Sequence, residues 1–125
     1  MGILSMTEKR TYQGQCHCGA VRFAMTSDLS ALGDCNCSMC SRLGWVMQTV
    51  PAADFQLLSG EEKLSTYRFN TAMFAHQFCS VCGIESFARG EDGKGNVSYT
   101  VNVACLGEIP DIDRSKIKHW DGRNW

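Results

Sequence analysis

Seven of the eight cysteines in this 125-residue chain fall into three short clusters with the spacing of metal ligands. Cys16-His17-Cys18-Gly19 is a C-x-C-G, and Cys35-Asn36-Cys37-Ser38-Met39-Cys40 is a C-x-C-x-x-C. Cys79-Ser80-Val81-Cys82-Gly83 is a C-x-x-C-G, and Cys105 stands alone. Zinc takes tetrahedral thiolate ligands at about 2.3 Å, so one tight turn carrying two close-spaced cysteines supplies half a site. A turn of that kind needs a residue at positive φ, which glycine adopts without steric cost, and Gly19 and Gly83 follow two of the pairs. Backbone N–H groups freed in such turns can donate to the thiolates.

Counting ligands divides the cysteines by chemistry. Cys16, Cys18, Cys79 and Cys82 make four thiolates, which close a tetrahedron in the manner of a structural zinc. Cys35, Cys37 and Cys40 make three, which leaves a zinc one open position for water or substrate, the catalytic pattern. A thiol entering there binds as thiolate, because the metal lowers its pKa. Spacing leaves other arrangements open. Cys16 and Cys18 could pair with Cys37 and Cys40, leaving Cys35, Cys79 and Cys82. All seven could be structural, with water, Cys105 or a histidine completing the second site. A disulfide framework is the remaining use of so many thiols.

Disulfides imply export, and the opening MGILSMTEKRTY has neither a basic n-region nor an apolar h-region. No apolar run approaches the roughly 20 residues that span a bilayer. The expectation is a cytoplasmic protein, where clustered cysteines bind metal or do redox work. With 12 basic and 13 acidic residues there is no field to draw nucleic acid or anionic lipid. Length and 44% hydrophobic content predict one globular unit. Residues 1–11 read as a flexible tail and 12–125 as a single zinc-binding domain.

The elements that must position these thiols read mostly as strands. Val21, Phe23 and Met25 alternate with Arg22 and Ala24. Trp45 to Val50 is aromatic and β-branched, with Pro51 as its stop. Further short strands are expected at Phe55–Leu58, at Thr66–Phe69 ending at Asn70, around His76 and Phe78, and at Ile84–Ala88. A turn-rich stretch from Gly90 to Asn96 precedes the clearest strand, 97–105. There Val97, Tyr99, Val101, Val103 and Cys105 face one way, and Ser98, Thr100, Asn102 and Ala104 the other. Helical signals are weak: single turns at Ser30–Leu32 and Ala52–Asp54, and a third near Ser115–Ile117 capped from Asp111 to Asp113. The prediction is a mostly β domain of small antiparallel sheets around two zinc sites.

The order of the three cysteine motifs resembles the glutathione-dependent formaldehyde-activating enzyme family, which includes the centromere protein V type of domain. The resemblance extends to Gly14-Gln15 before Cys16, to Ala20-Val21-Arg22-Phe23, to Ser41-Arg42 after Cys40, to Phe78 before Cys79, and to Val101-Asn102-Val103-Ala104-Cys105-Leu106. It spans residues 12–121. Membership implies several small coiled β-sheets, similar to the fold of B-type methionine sulfoxide reductases. It implies two zincs per chain, a structural one at Cys16, Cys18, Cys79 and Cys82 and a catalytic one at Cys35, Cys37 and Cys40. The implied activity is that of a carbon–sulfur lyase of the S-(hydroxymethyl)glutathione synthase type, acting on glutathione and formaldehyde. Family members often carry His where this chain has Asn36, and longer members carry extra C-terminal sequence.

Three residues are candidates to meet substrate. Arg42 could pair with a carboxylate, since its planar fork suits bidentate binding. Trp45 could wall a pocket, and Asn102 could orient a ligand. Against these stand a solvated arginine, a core tryptophan and a plain surface asparagine. Arg42-bound water and His76 are candidates to protonate a nascent alkoxide. Cys105 reads as a small buried hydrophobe, and His17 as surface. His119-Trp120-Asp121-Gly122-Arg123 has no expected role beyond packing. Two other functions compete: a non-catalytic zinc-binding interaction module, and a thiol oxidoreductase, which would need a low-pKa cysteine with a resolving partner. Exposed sheet edges leave room for a homodimer.

Overall fold

In the computed structural model, residues 9–68, 74–107, 112 and 114–124 are described. The elements run in the order β1 (Arg10–Gln15), β2 (Arg22–Ser27), β3 (Gly33–Cys35), α1 (Ser38–Leu43), β4 (Met47–Pro51), β5 (Phe55–Ser59), β6 (Leu64–Tyr67), β7 (Phe74–Cys79), β8 (Glu85–Glu91), β9 (Val97–Asn102) and β10 (Lys118–Trp120). Short 3-10 turns lie between several of them. The strands form a three-stranded sheet, β1-β2-β5, and a seven-stranded sheet, β10-β3-β4-β9-β8-β7-β6. Neighbours are antiparallel except β10, which runs parallel to β3.

Alternation of apolar and polar residues decides how the sheets meet. In β2, Phe23 and Met25 are fully buried between exposed or half-buried neighbours. They pack on Phe87 of β8 and Val101 of β9, so the small sheet covers one face of the large one. Phe55 ties the layers together, its ring 5.7 Å from Phe23, 4.8 Å from Phe87 and 4.1 Å from Tyr99. Full burial of each such side chain is worth about 1.5–3 kcal/mol, the main driving force available to a domain of this size.

Among the described residues, no second sheet covers the opposite face of the large one. Register aligns Thr49 of β4 with Thr100 of β9, Thr100 with Ala88 of β8, and Ala88 with His76 of β7. One strand pitch along, Ser98 aligns with Gly90 and Gly90 with Phe74. Residues in register share a face. β8 is therefore buried on both sides, with Phe87 toward the core and Ala88 toward this second surface.

Several expected boundaries move. Pairing begins at Arg10, opposite Ser27, inside the stretch expected to be a tail. The last strand stops at Asn102 rather than running to Cys105, because the Asn102 side chain accepts from Ala104 N and starts a 3-10 turn. Cys105 thereby leaves the face of Val101 and is half-buried at the edge of the core. β8 extends to Glu91, since Asp92 caps a tighter turn by accepting from Lys94 N and Asn96 N. Ser30–Leu32 is a turn, whereas Ala52–Asp54 forms the expected 3-10 turn. Helix α1, which no apolar periodicity announces, carries the central cysteines. The expected strand end at Phe69 and Asn70, and the caps at Asp111 and Asp113, lie outside the described residues. No helix among the described residues is long and apolar enough to cross a membrane.

Candidate metal centres and the cavity beside them

Two turns of matching design bring the outer cysteines together. After β1, Cys16 N donates to Val21 O at 3.0 Å and Val21 N donates back to Cys16 Sγ at 3.4 Å. After β7, Cys79 N donates to Ile84 O at 3.0 Å and Val81 N donates to Cys79 Sγ at 3.4 Å. Gly19 and Gly83 close these turns at φ +81° and +83°, where a side chain would be strained. The four sulfurs of Cys16, Cys18, Cys79 and Cys82 lie within 4.8 Å of one another. Cys16–Cys18 and Cys18–Cys79 are each 3.7 Å apart. Sulfurs on a tetrahedral zinc at about 2.3 Å stand about 3.8 Å apart, so this set fits that ion without rearrangement. The spacing is far too long for a disulfide, and all eight cysteines are free.

Backbone amides prepare some of these thiols for ionisation. The amides of Ile84 and Cys18 bring Cys82 down to about 6. The Cys82 and Val81 amides likewise lower Cys79. The Ala20 amide favours the Cys18 thiolate, but desolvation and the neighbouring sulfurs push that group up to about 11. A shared cation would resolve this competition by holding all four as thiolates.

The central trio is built differently. Cys35 ends β3, Cys37 is the N-cap of α1, and Cys40 lies in its first turn. Cys37 takes the place of the usual Ser or Asp cap, its Sγ accepting from Cys40 N at 3.2 Å. Cys37 N in turn donates to Cys35 Sγ at 3.5 Å. The three sulfurs lie within 4.8 Å of one another, and no fourth His, Cys, Asp or Glu joins them among the described residues. A six-residue helix is marginal alone, so its thiol contacts and cap are what hold it. Burial opposes ionisation of Cys37, but the Cys40 and Met39 amides outweigh it and its pKa falls. Burial pushes Cys40 up to about 12, against the nearby Trp45 indole, which favours the thiolate. That indole N–H falls short of full hydrogen-bond geometry with the sulfur and has no other partner among the described residues.

The trio forms one wall of a cavity of about 470 Å³. The rest of the wall comes from the uncovered sheet face, with Trp45 and Trp120 at its sides. Trp45 packs with Cys35, Cys40 and Ala88 in one apolar cluster, and its ring lies 6.3 Å from that of His76. His76 is 5% exposed and Glu85 4%, and they pair through Nδ1 and Oε2 at 2.7 Å. Glu85 Oε1 is buried without a partner. The pairing fixes the orientation of the His76 ring where it lines the cavity.

The structure thus brings Trp45 and His76 to the cavity but not Arg42 or Asn102. Arg42 is exposed and donates from a guanidinium nitrogen to Ser38 O at 2.8 Å, across one turn of α1. Asn102 shares the face of Ser98 and Thr100, but at the strand end its side chain turns inward, donating to Glu85 O at 3.0 Å. Sequence reading missed Glu85, Thr49, Ala88 and Phe74. Their signal was the every-second-residue pattern of strands that it read as having one apolar core face. His119 pairs with Asp34 at 2.7 Å on the surface, one residue before Cys35.

A family model described as glutathione-dependent formaldehyde-activating enzyme matches residues 11–121. A crystal structure of a Rhodobacter sphaeroides protein superposes with a TM-score of 0.73 at 31% identity. The match covers 86% of this chain and 98% of that one.

Proposed function

The chain belongs to the glutathione-dependent formaldehyde-activating enzyme family, and from that membership we propose that it joins a small aldehyde to a thiol, and reverses that joining, beside Cys35, Cys37 and Cys40. In the family's terms it is a carbon–sulfur lyase of the S-(hydroxymethyl)glutathione synthase type, with glutathione and formaldehyde as the reference pair. The carrying observation is the contrast between the two thiol clusters. Four sulfurs enclose one site, whereas three sulfurs leave the other open toward a cavity. Cys16, Cys18, Cys79 and Cys82 hold a structural zinc in this reading, and the trio holds a second, catalytic one. Eight free thiols suit a reducing cytoplasm.

A zinc held by three thiolates supplies a position where a substrate thiol is stabilised as thiolate. The residues do the rest. The S–H bond breaks, a C–S bond forms at the carbonyl carbon, and the carbonyl oxygen gains the proton. His76 is the cavity residue able to hold that proton between the two events. Glu85 fixes the ring's tautomer and orientation, and stabilises the charged ring while it carries the proton. A buried carboxyl with one oxygen unpartnered costs stability, so its pairing with a histidine that lines the cavity supports a chemical use. Trp45 keeps water from the cluster side and directs its N–H toward the Cys40 sulfur.

The test is exchange spectroscopy on zinc-loaded protein with glutathione and formaldehyde. Adduct formation faster than the spontaneous reaction, and dependent on Cys37, supports the reading. A rate equal to the uncatalysed one sinks it.

A further inference from the structure

The cavity beside the trio is far larger than its reference aldehyde requires, and its chemistry is wrong for a charged guest. A volume of about 470 Å³ falls among sites that enclose drug-sized ligands, ~300–1,000 Å³. Formaldehyde has two non-hydrogen atoms. Glutathione would fill the space, but it carries two carboxylates and an ammonium. All twelve Lys and Arg residues are among the described ones, and none lines the cavity. Arg42 is turned back on its own helix. Lys118 sits with Nζ 4.0 Å over the Trp120 ring. His76 does line the cavity and is already paired with Glu85. Desolvating a carboxylate with no cation to meet it is prohibitive.

What the lining does offer is apolar surface with hydroxyls at one side. Trp45, Met47, Phe74, Ala88 and Trp120 supply the first. Thr49 and Thr100 supply the second, and their hydroxyls already bond each other at 2.9 Å. Phe74 and Trp120 are also 43% and 44% exposed and both line the cavity, so part of their aromatic area stays open to a guest. Building on the proposed addition of thiols to aldehydes, we infer that the group lodged in this cavity is uncharged and apolar: an aryl or branched alkyl substituent carried by the thiol or by the aldehyde. Glutathione's charged ends then lie outside the cavity, and its fit is the poorer one.

The probe for the cavity alone is benzyl alcohol, which has no thiol. Titrated into zinc-loaded protein, it should shift the methyl signals of Ala88, Thr49 and Thr100 saturably. Ala88→Leu should abolish those shifts. Should that buried variant fail to fold, Thr49→Trp fills the same space from an exposed position. Turnover then separates the sources. Benzyl mercaptan with formaldehyde, or phenylacetaldehyde with glutathione, should exceed glutathione with formaldehyde in kcat/KM by about tenfold or more. The pair that gains identifies which reactant carries the apolar group. Absence of saturable shifts with benzyl alcohol, or a kcat/KM highest for glutathione with formaldehyde, overturns the inference and leaves the reaction class standing. Saturable binding with no addition of any thiol to any aldehyde has the opposite meaning: the cavity assignment holds and the proposed reaction fails.

Discussion

Asn36 Nδ2 donates to Asp121 Oδ1 at 2.9 Å, joining residues 85 positions apart beside the three-thiol cluster. Its Oδ1 accepts from Arg123 N at 2.8 Å, and its backbone N–H donates to Trp120 O at 3.1 Å. Asn36 lies between Cys35 and Cys37, so the C-terminal segment is fastened directly to the loop that presents two of the thiols. The same segment supplies Trp120 to the cavity wall. Asn36 stands where family members often carry His, and its amide serves both ends of this clamp at once.

Asn36→Ala should therefore loosen the segment around Trp120 more than the rest of the fold. Two side-chain hydrogen bonds are lost, worth about 1–2 kcal/mol together. Hydrogen exchange should accelerate at Arg123 and along β10 while β8 and β9 stay protected. Asn36→Asp keeps the acceptor for Arg123 but sets a carboxylate against Asp121, so it should weaken the clamp without removing it. Equal protection of β10 in all three proteins would contradict the clamp.

The two thiol clusters should part company when ligands or metal are removed. Cys16 and Cys79 are 2% and 1% exposed within the main core. Cys79→Ser should thus lose a metal and unfold the domain, with the several-kcal/mol loss that follows when a structural zinc goes. Cys35→Ser should lose the second metal and keep the fold. Wild-type protein should carry two zincs, one released slowly by chelator and one quickly, the fast one shielded by a bound thiol. Two zincs released at one slow rate would favour a non-catalytic zinc module. A titrating thiol pair at the trio with no metal would favour redox chemistry.

How far the residues alone foretold this arrangement depends on the range of the forces involved. The two outer cysteine turns were legible because spacing and glycine placement are local: Cys16 to Gly19 and Cys79 to Gly83 dictate their own turns. The strands of β2 and β9 were legible through alternation. Helix α1 was not, since six residues with one buried position leave no periodic signal, and its cap is an unusual thiol. Arg42 and Asn102 were singled out for nearby chemistry, yet both side chains are turned to backbone carbonyls by local geometry. The cavity itself was out of reach. Thr49, Thr100, Ala88 and His76 come from four strands, and their meeting depends on register between segments far apart in sequence.

The His76–Glu85 pair predicts a particular kinetic signature. His76→Gln should lower kcat/KM for thiol addition by about 10²–10⁴-fold, the range for a positioned proton carrier. Glu85→Gln keeps a polar partner for the ring but removes the carboxyl, so its loss should be smaller. A histidine that only fills space would lower the melting temperature in both variants and leave kcat/KM of the folded fraction unchanged. Kinetics and melting curves on the same samples distinguish these results.

Acid should probe the turn that joins the two central strands of the cavity floor. Asp92 Oδ1 accepts from Lys94 N at 2.7 Å and Asn96 N at 3.1 Å, and Oδ2 accepts from Asn96 Nδ2 at 2.6 Å. The Asn96 side chain first, then the Lys94 amide, hold this carboxyl below its ordinary value of 3.8. A carboxyl whose folded pKa is depressed stabilises the fold above its unfolded pKa, and that stabilisation is lost as pH falls through the folded value. Asp92→Asn should accordingly melt lower than wild type at neutral pH. The gap should narrow once pH drops below 3.8 and close at lower pH. Acid would strip any thiolate-bound metal from both proteins alike, so the difference between their melting curves isolates Asp92 from the thiols. A gap that stays constant down through that range would show that Asp92 holds the β8–β9 turn by shape rather than by charge.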